Sequence, residues 1–280
     1  MDLTACAGEG NVTPAGAASA GRTRGWVGSD PVDQQIAENL AVVRRRIADA
    51  AGVVGRDPAE VRLLLAVKTQ PVAAIRAALD AGADLLGHNR AQELLATGPA
   101  LAEPGVPAHE MHFIGHLQSN KVGQVLRWAT CVQTVDTLRL AERLDATVAR
   151  RRTAGDDGEP APLDVMVQVN TSGEPTKAGV EPAGATELAT AVAALPHLRL
   201  RGFMTIGANS PDADVVRASY EALAAVRDRV LATDGPGTAT ARELSMGMSG
   251  DLELAVAAGA TMVRVGTAVF GARPPVDRPA

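Results

Sequence analysis

The sequence predicts a single (β/α)8 barrel, and three observations carry this prediction. Eight short apolar runs alternate with helical stretches from Asp30 onward. Right-handed strand–helix–strand units repeated in this way close naturally into a barrel. The chain has 280 residues, of which 46% are hydrophobic but only 2% aromatic, so Ala, Val, Leu and Ile must build the core, as they do around buried parallel strands. An open doubly wound sheet is the alternative.

A helix is predicted before the first strand. Asp30 and Pro31 form a helix start, with an N-cap and a proline in the first turn, and the apolar residues from 36 to 47 recur at helical spacing. The elements expected next are strand 61–67, helix 72–81, strand 84–86, a helix from about 89, strand 111–114, a helix from 119 and strand 131–135.

The second half of the sequence repeats the same unit. The expected elements are helix 138–151, a Gly-, Asp- and Pro-rich loop over 153–162, strand 165–169, helix 185–194, strand 198–206, helix 214–231, strand 243–246, helix 251–258 and strand 262–265. No loop is long enough to mark a domain boundary. We therefore expect a barrel domain over residues 30–280.

Composition excludes several classes of protein. The net charge of −5 and the lack of a dense basic patch argue against nucleic-acid binding. No apolar run approaches the ~18–20 residues that span a bilayer. Residues 1–29 lack the basic and apolar segments of a signal peptide, so we expect a disordered tail or an overlong start. Cys6 lies in that tail and Cys131 in a strand, which makes a disulfide unexpected and a cytoplasmic protein consistent.

Lysine is the most informative residue type. It occurs three times among 27 basic residues, so the chain has no general need for it. Lys68 follows the apolar run 61–67 and precedes Thr69, Gln70 and Pro71, at the carboxyl end of a predicted strand. Its ε-amine can form a Schiff base, which a guanidinium cannot. A lysine that merely reaches solvent is the alternative. The G-x-G-x-x-G turn of a doubly wound nucleotide site is absent here.

The loops after the last two predicted strands have the residues of an anion site. Ser249 is expected to cap the helix after strand seven, and Gly266 and Thr267 follow strand eight directly. These loops form the usual phosphate site of a barrel, although ordinary capping turns would look similar. A reactive lysine, a phosphate cradle and the buried Arg264 together suggest pyridoxal 5′-phosphate.

Four segments resemble the pyridoxal phosphate homeostasis protein family, which shares its barrel with the amino-terminal domain of alanine racemases. The segments are 65–71, 112–121, 168–174 and 244–273, and the resemblance extends over residues 31–273.

The resemblance implies a role for each of six residues. Lys68 would carry the cofactor as an aldimine, and Ser249, Gly266 and Thr267 would hold its phosphate. Arg264 would face the pyridine nitrogen, and Asn89 matches an Asn of the family near the cofactor. A permanent cation beside the ring nitrogen disfavours its protonation and makes the ring a poorer electron sink.

The sequence departs from the family pattern beside these positions. Val67 stands where Ser is frequent, and Gln70 stands where a second Lys is often found, so a lysine site at position 70 is excluded. His88 and Arg90 replace the usual Glu and Tyr. The role of segment 87–93 beyond Asn89 is therefore open.

Two histidines and two further lysines are secondary candidates. His112 and His116 bracket a glycine, but no carboxylate or Cys lies at ligand spacing, so we expect hydrogen-bonded pocket histidines and no metal. Lys121 and Lys177 could attract phosphate or be ordinary surface lysines.

The expected function is that of a monomeric, non-enzymatic cofactor carrier. Racemases of this barrel type take a second base, a Tyr, from a separate carboxy-terminal domain, for which the sequence leaves no room after Val265. Tyr220, the only tyrosine, lies in a predicted helix. The carrier would limit free cofactor and supply it to apo-enzymes. A racemase or decarboxylase that uses lysine alone, and a colourless cofactor-free aldolase, are the alternatives.

Overall fold

A computed structural model describes residues 30–152, 161–174 and 176–271. The predicted disordered tail with Cys6, residues 153–160 of the predicted loop and residues 272–280 lie outside this part of the chain. The boundaries 1–29 and 30–280 therefore stay predictions.

Eight parallel strands close into a barrel in sequence order. The first and last strands pair directly, with Leu64 opposite Arg264. The predicted (β/α)8 barrel is thus confirmed and the open doubly wound sheet is wrong. The strands are β1 (Arg62–Ala66), β2 (Leu85–His88), β3 (Glu110–Phe113), β4 (Cys131–Val135), β5 (Leu163–Gln168), β6 (Leu198–Met204), β7 (Glu243–Ser245) and β8 (Met262–Val265).

Helices surround the strands. They are α1 (Pro31–Val53), α2 (Val72–Asp80), α3 (Ala91–Leu101), α4 (Val122–Val125), α5 (Leu138–Arg152), α6 (Ala185–Ala193), α7 (Ala213–Ala232), α8 (Leu252–Ala257) and α9 (Thr267–Phe270). Short 3-10 turns occur at Pro58–Glu60, Ser119–Lys121 and Thr238–Thr240. Within the described residues, none of the helices combines the length and the hydropathy needed to cross a membrane.

The extra helix α1 forms as predicted. The side chain of Asp30 accepts a hydrogen bond from the amide of Val32 at 3.0 Å, which satisfies one of the free donors at the helix start. The predicted apolar stripe is buried, and α1 packs on α2, α8 and α9. Helix α1 therefore belongs to the outer helical layer, beside the helices that follow the first strand and the last two strands.

Two apolar layers hold the barrel. The larger one lies between the strands and the helices. The smaller one fills the barrel interior with Leu64, Leu85, Met166, Met204 and Met262. The buried residues also include polar and charged side chains on strands, at His112, Gln133, Ser245 and Arg264. Buried polar groups need partners, and these four provide them for one another.

Some element ends differ from the prediction. Strand β6 ends at Met204 rather than 206, because the chain turns at Gly207, whose φ of 78° is open to glycine at no steric cost. The helix expected from 119 begins as a 3-10 turn and continues only as the four-residue α4. Helix α9 was not expected from the sequence.

Candidate functional site

A cavity of about 440 Å³ opens at the carboxyl ends of the strands. All six residues predicted as site residues line it: Lys68, Asn89, Ser249, Arg264, Gly266 and Thr267. The sequence analysis missed its remaining walls, which are Ala66, Ile114, Met204, Ile206, Met248 and Gly250. Large apolar side chains near the ends of strands β3 and β6 would have been the signal. Ile206 and Met248 are 40% and 41% exposed, so apolar surface is open to solvent here.

A strained turn places Lys68 on the cavity wall. The next residue, Thr69, has a φ of 62°, which is an outlier for a β-branched side chain. The Thr69 hydroxyl donates to the Lys68 carbonyl at 2.6 Å, and the Gln70 amide donates to the Val67 carbonyl at 3.1 Å. Such strain persists only where the surroundings impose it, commonly at a functional site.

Asn89 is held by a close backbone approach. A Cβ on Gly115 would lie 1.7 Å from the Asn89 carbonyl oxygen, so only glycine fits there. The side-chain Oδ1 of Asn89 is buried and has no hydrogen-bond partner among the described residues. A buried acceptor without a protein partner fits a cavity in which a polar ligand supplies the donor.

The loops after β7 and β8 meet at Ser249. Its Oγ accepts from the Thr267 hydroxyl at 3.2 Å and from the Ala268 amide at 3.4 Å. On the outer side, Arg46 donates to the Ser249 carbonyl at 3.1 Å while it pairs with Glu253 at 2.7 Å. A side chain of α1 thus fixes the loop from behind.

Ser249 does not cap helix α8, so that prediction was wrong. The helix begins at Leu252 and its N-cap residue is Asp251. The Asp251 carboxylate turns back to accept from the Met248 amide at 2.6 Å. That bond closes the turn and leaves the Ser249 side chain directed at the start of α9.

This meeting point offers several donors to an anion. Within the part of the chain that is described, the backbone amides of Ser249, Gly250 and Thr267 donate to no protein group. A Cβ on Gly250 would meet nothing within 4 Å, so there is open space beside this residue. A Cβ on Gly266 would lie 3.0 Å from the Ala66 carbonyl oxygen, where there is little room for a side chain. Free amides and hydroxyls that converge in this way suit a phosphate group.

Arg264 is a buried cation on the floor of the cavity. It is only 6% exposed. It donates through Nη1 to Ser245 Oγ at 2.9 Å and through Nη2 to the Thr205 carbonyl at 2.7 Å. Burial lowers the pKa of Arg264 to about 10, while Tyr220 and Asp251 act to raise it. The guanidinium therefore keeps its charge at neutral pH.

A chain of hydrogen bonds continues from Arg264 through the barrel interior. The Ser245 hydroxyl donates to Gln133 Oε1 at 2.7 Å, and Gln133 Nε2 donates to His112 Nδ1 at 2.7 Å. Because Nδ1 accepts, the proton of neutral His112 lies on Nε2, which reaches Glu110 Oε2 at 3.2 Å. Every donor points away from the cation and toward the carboxylate, and bonds aligned in this way strengthen one another.

The chain ends at the opposite end of the barrel. The hydrogen bond from His112 lowers the pKa of Glu110 to about 2, with Arg62 adding to the effect and burial opposing it. Arg62 Nη2 lies 2.8 Å from Glu110 Oε1. Gln133 and Ser245 were not predicted from the sequence, although a polar residue inside an apolar strand is the signal that could have found them.

The remaining candidates are dispersed. His112 is hydrogen-bonded as expected, but inside the barrel. The same expectation for His116 was wrong: β3 ends at Phe113, the chain leaves the barrel, and His116 is exposed without a side-chain hydrogen bond to any described residue. Lys177 donates to Glu174 at 2.7 Å and to the Gly207 carbonyl at 2.8 Å. Across the described ranges, no group of three or more His, Cys, Asp or Glu could hold a metal ion.

His88 does not reach the cavity. It is fully buried, and neither ring nitrogen has a hydrogen-bond partner among the residues that the structure describes. Burial, and then the charge of His109, lower the pKa of His88 to about 4. The imidazole is therefore neutral at pH 7 and contributes packing rather than charge.

The fold and the cavity place the chain among barrels of the alanine racemase type. The sequence profile of the alanine racemase N-terminal domain family matches residues 34–274. The crystal structure of alanine racemase from Corynebacterium glutamicum superposes with a TM-score of 0.59 at 16% identity, covering 88% of this chain and 63% of that one. At this identity the likeness concerns the fold alone.

Closer relatives identify the family. The pyridoxal phosphate homeostasis protein of Escherichia coli strain K12 is 46% identical over 242 residues, which cover 85% of this chain and 97% of the relative. That of Pseudomonas aeruginosa PAO1 is 45% identical over 238 residues, with coverages of 85% and 96%. PipY of Synechococcus elongatus, solved with PLP bound, superposes with a TM-score of 0.71 at 32% identity and covers 84% of this chain and 100% of its own. The chain belongs to the pyridoxal phosphate homeostasis protein family, and the resemblance predicted from the sequence is confirmed.

Proposed function

We propose that the protein binds pyridoxal 5′-phosphate as a Schiff base on Lys68 and takes part in vitamin B6 homeostasis in the cytoplasm, as a monomeric carrier without catalytic turnover. The observation that carries the proposal is the convergence of Lys68, the buried Arg264 and a set of free donors in one cavity. The relatives named pyridoxal phosphate homeostasis proteins and the PLP-bound PipY support it.

Lys68 supplies the covalent attachment. When bound, the cofactor would supply an aldehyde, and the ε-amine of Lys68 would hold it as a Schiff base, with water as the leaving group. Lys68 is the only lysine that lines the cavity among the described residues. Arginine cannot replace it, because the guanidinium stays protonated.

The phosphate would lie where the loops after β7 and β8 meet. The free amides of Ser249, Gly250 and Thr267 and the two hydroxyls can donate to phosphate oxygens. Hydrogen bonds to a charged group contribute about 1.5–3 kcal/mol each. Two or more of them therefore outweigh the apolar contacts that the small pyridine ring can make with Ile114 or Met204.

Arg264 restrains chemistry at the pyridine nitrogen. Its hydrogen bonds to Ser245 and Thr205 hold the guanidinium in place, so a ring nitrogen beside it meets a fixed cation. A proton on that nitrogen is disfavoured next to the cation. The ring then withdraws electrons weakly, which favours storage of the cofactor over cleavage of bonds at an amino acid Cα.

A second base is also lacking among the residues that line the cavity. Lys68 and Arg264 are the titratable side chains in the described lining, and Arg264 is charged at neutral pH. Tyr220, the single tyrosine, is buried in α7 and does not line the cavity. A two-base racemase needs a group on each face of the substrate, so the site supports a carrier that hands the cofactor to apo-enzymes.

The first experiment reduces the purified protein with borohydride and maps the pyridoxyl group by mass spectrometry. We expect the wild type to be yellow and labelled at Lys68. Lys68→Ala and Lys68→Arg should lose the label completely, whereas Lys177→Arg, the matched control, should keep it. Label on a Lys68→Ala protein at Lys121 or Lys177 would contradict the proposal. A colourless wild type that forms an imine with a sugar phosphate would favour an aldolase instead.

A racemase or decarboxylase that uses Lys68 alone is the second candidate, since Lys68 could move a proton on one face by itself. Incubation of the yellow protein with L- and D-amino acids in deuterated water, followed by NMR, tests this candidate. We expect no appreciable Cα–H exchange, racemisation or decarboxylation. Rapid exchange that Lys68→Ala abolishes would replace the carrier by a lysine-only enzyme.

A further inference from the structure

We propose that a second, positively charged cleft beside the cofactor cavity is a docking site for the phosphate of the incoming ligand. The cleft has a volume of about 270 Å³ and shares Asn89 with the cofactor cavity. Its cationic side chains are those of Arg90 and Lys121, with His116 between them in sequence. The inference rests on the proposed function and adds a route to the site.

The charges of this cleft are unbalanced. Among the described residues, no carboxylate lines it, and the side chains of Arg90, His116 and Lys121 form no hydrogen bond or ion pair. Some other surface cations are neutralised by carboxylates, as Arg46 is by Glu253 and Arg76 by Glu103. Two permanent cations without partners on a chain of net charge −5 create a local field that attracts an anion.

The cleft is built by two loops that are locked together. Arg90 is the residue before α3, in the loop after β2, while His116 and Lys121 follow β3. The loops touch where Gly115 lies against the Asn89 backbone, at a distance that would place a Cβ 1.7 Å from the carbonyl oxygen. The cationic side chains are therefore carried on a preformed backbone, which lowers the entropic cost of binding.

The charge of the cleft indicates the ligand class, and its volume of about 270 Å³ leaves room for a phosphate group, although sites for whole small molecules are usually somewhat larger, at about 300–1,000 Å³. Arg and Lys both donate to phosphate oxygens. Because the cleft adjoins Asn89 at the wall of the cavity, an anion docked there lies at the mouth of the Lys68 site. Free phosphate and the phosphate of the cofactor share this chemistry.

Stopped-flow absorbance measures the docking step. We compare cofactor association with wild type, the double variant Arg90→Ala/Lys121→Ala and the control Arg127→Ala, which removes an exposed cation four residues before β4 at the other end of the barrel. The double variant should associate about tenfold more slowly at low salt, the lower end of electrostatic steering. Since the seated cofactor does not occupy the cleft, its affinity should be unchanged and its dissociation should slow by the same factor. The control should behave like the wild type, and the difference should shrink as salt is added. Pyridoxal, which lacks the phosphate, should associate equally with all three.

A second measurement separates the cleft from the phosphate cradle. Borohydride reduction fixes the cofactor in the cavity, after which inorganic phosphate can bind only elsewhere. Its titration should shift the NMR resonances of the His116 ring in the reduced wild type and leave them unmoved in the reduced double variant. Equal association rates, or an unmoved His116 in the reduced wild type, would overturn the docking site while leaving the Schiff base intact. A wild type that never loads cofactor would overturn the proposed function itself.

Discussion

The two ends of the barrel hold similar side chains in opposite arrangements. At the amino-terminal end of the strands, a cavity of about 360 Å³ is lined by three arginines and three carboxylates. Arg62 pairs with Glu110 at 2.8 Å and Arg199 pairs with Asp164 at 2.5 Å. Arg201 reaches both Asp164 and Glu243. At the carboxyl-terminal end Arg264 is held by a hydroxyl and a carbonyl instead, and Arg90 and Lys121 have no ion-pair partner among the described residues.

The difference separates a closed end from a binding end. Where each guanidinium already pairs with a carboxylate, an incoming anion gains little binding free energy. These ion pairs close the amino-terminal end of the barrel around Cys131. Burial, reinforced by the surrounding carboxylates, raises the pKa of the Cys131 thiol and keeps it unreactive. Where donors are left free, binding an anion satisfies them. In barrels of this kind the carboxyl end carries function and the amino end stability.

The hydrogen-bond chain through His112, Gln133 and Ser245 connects these two ends. It leads from the cation at the cofactor cavity to the carboxylate of Glu110. The binding end therefore depends on the closed end, because the hydrogen bonds that orient Arg264 continue to partners at the closed end. Three measurements can break or sharpen this comparison.

The largest effect should come from removing the phosphate from the ligand. Several charge-assisted hydrogen bonds at Ser249, Gly250 and Thr267 are then lost, while the ring contacts remain. We expect pyridoxal to bind at least ~100-fold more weakly than pyridoxal 5′-phosphate, which corresponds to about 2.7 kcal/mol. Equilibrium titrations followed by absorbance test this. Equal affinities would mean that the free donors of the binding end do not hold a phosphate.

A smaller effect is expected from Gln133→Leu, which cuts the chain in the middle. His112 Nδ1 and the Ser245 hydroxyl would each lose a partner, and an unsatisfied buried group costs about 1–3 kcal/mol. With Arg264 less firmly held, we expect about tenfold weaker cofactor binding. A proton on the ring nitrogen should be less disfavoured. The pH at which protonation changes the absorbance of the bound cofactor should therefore rise.

The control for the chain is Thr147→Val. Thr147 is buried on α5, and its hydroxyl donates to the Arg143 carbonyl at 2.7 Å. This substitution should lower Tm without moving the spectral titration. If Gln133→Leu behaved in the same way, the chain would be structural only.

The smallest effect is expected at the closed end, with Glu110→Gln. The folded-state pKa of Glu110 is depressed to about 2 from an ordinary value near 4.5, so its charge stabilises the protein fully at a pH above about 4.5. This stabilisation is lost as the pH falls from about 4.5 through 2. Since the carboxylate is about half exposed, the loss should stay within the ~0–1 kcal/mol typical of surface pairs. Urea unfolding between pH 2 and 6 should show a flatter pH dependence in the variant. An identical profile would remove Glu110 from the network.

Local patterns in the sequence determined the elements and the main site residues. The alternation of apolar runs and helical stripes predicted eight strands, because side-chain periodicity follows from backbone geometry alone. The position of Lys68 after the first strand, and of Gly266 and Thr267 after the last, placed them at one rim as soon as a parallel barrel was assumed. Their presence along one cavity follows from that geometry, while their role in binding remains the proposal.

Tertiary structure alone decided what these residues meet. Ser245 and Gln133 are 112 positions apart, and only the barrel brings them to 2.7 Å. The packing of distant loops also decided that Asp251, and not Ser249, is the N-cap residue of α8 and that the amides beside it are free. It likewise formed the cleft between the loops after β2 and β3. Periodicity records which face of an element is buried. It does not show which polar atoms of other strands lie against that face. Those atoms determine which charged groups are paired within the protein and which remain available to bind a ligand.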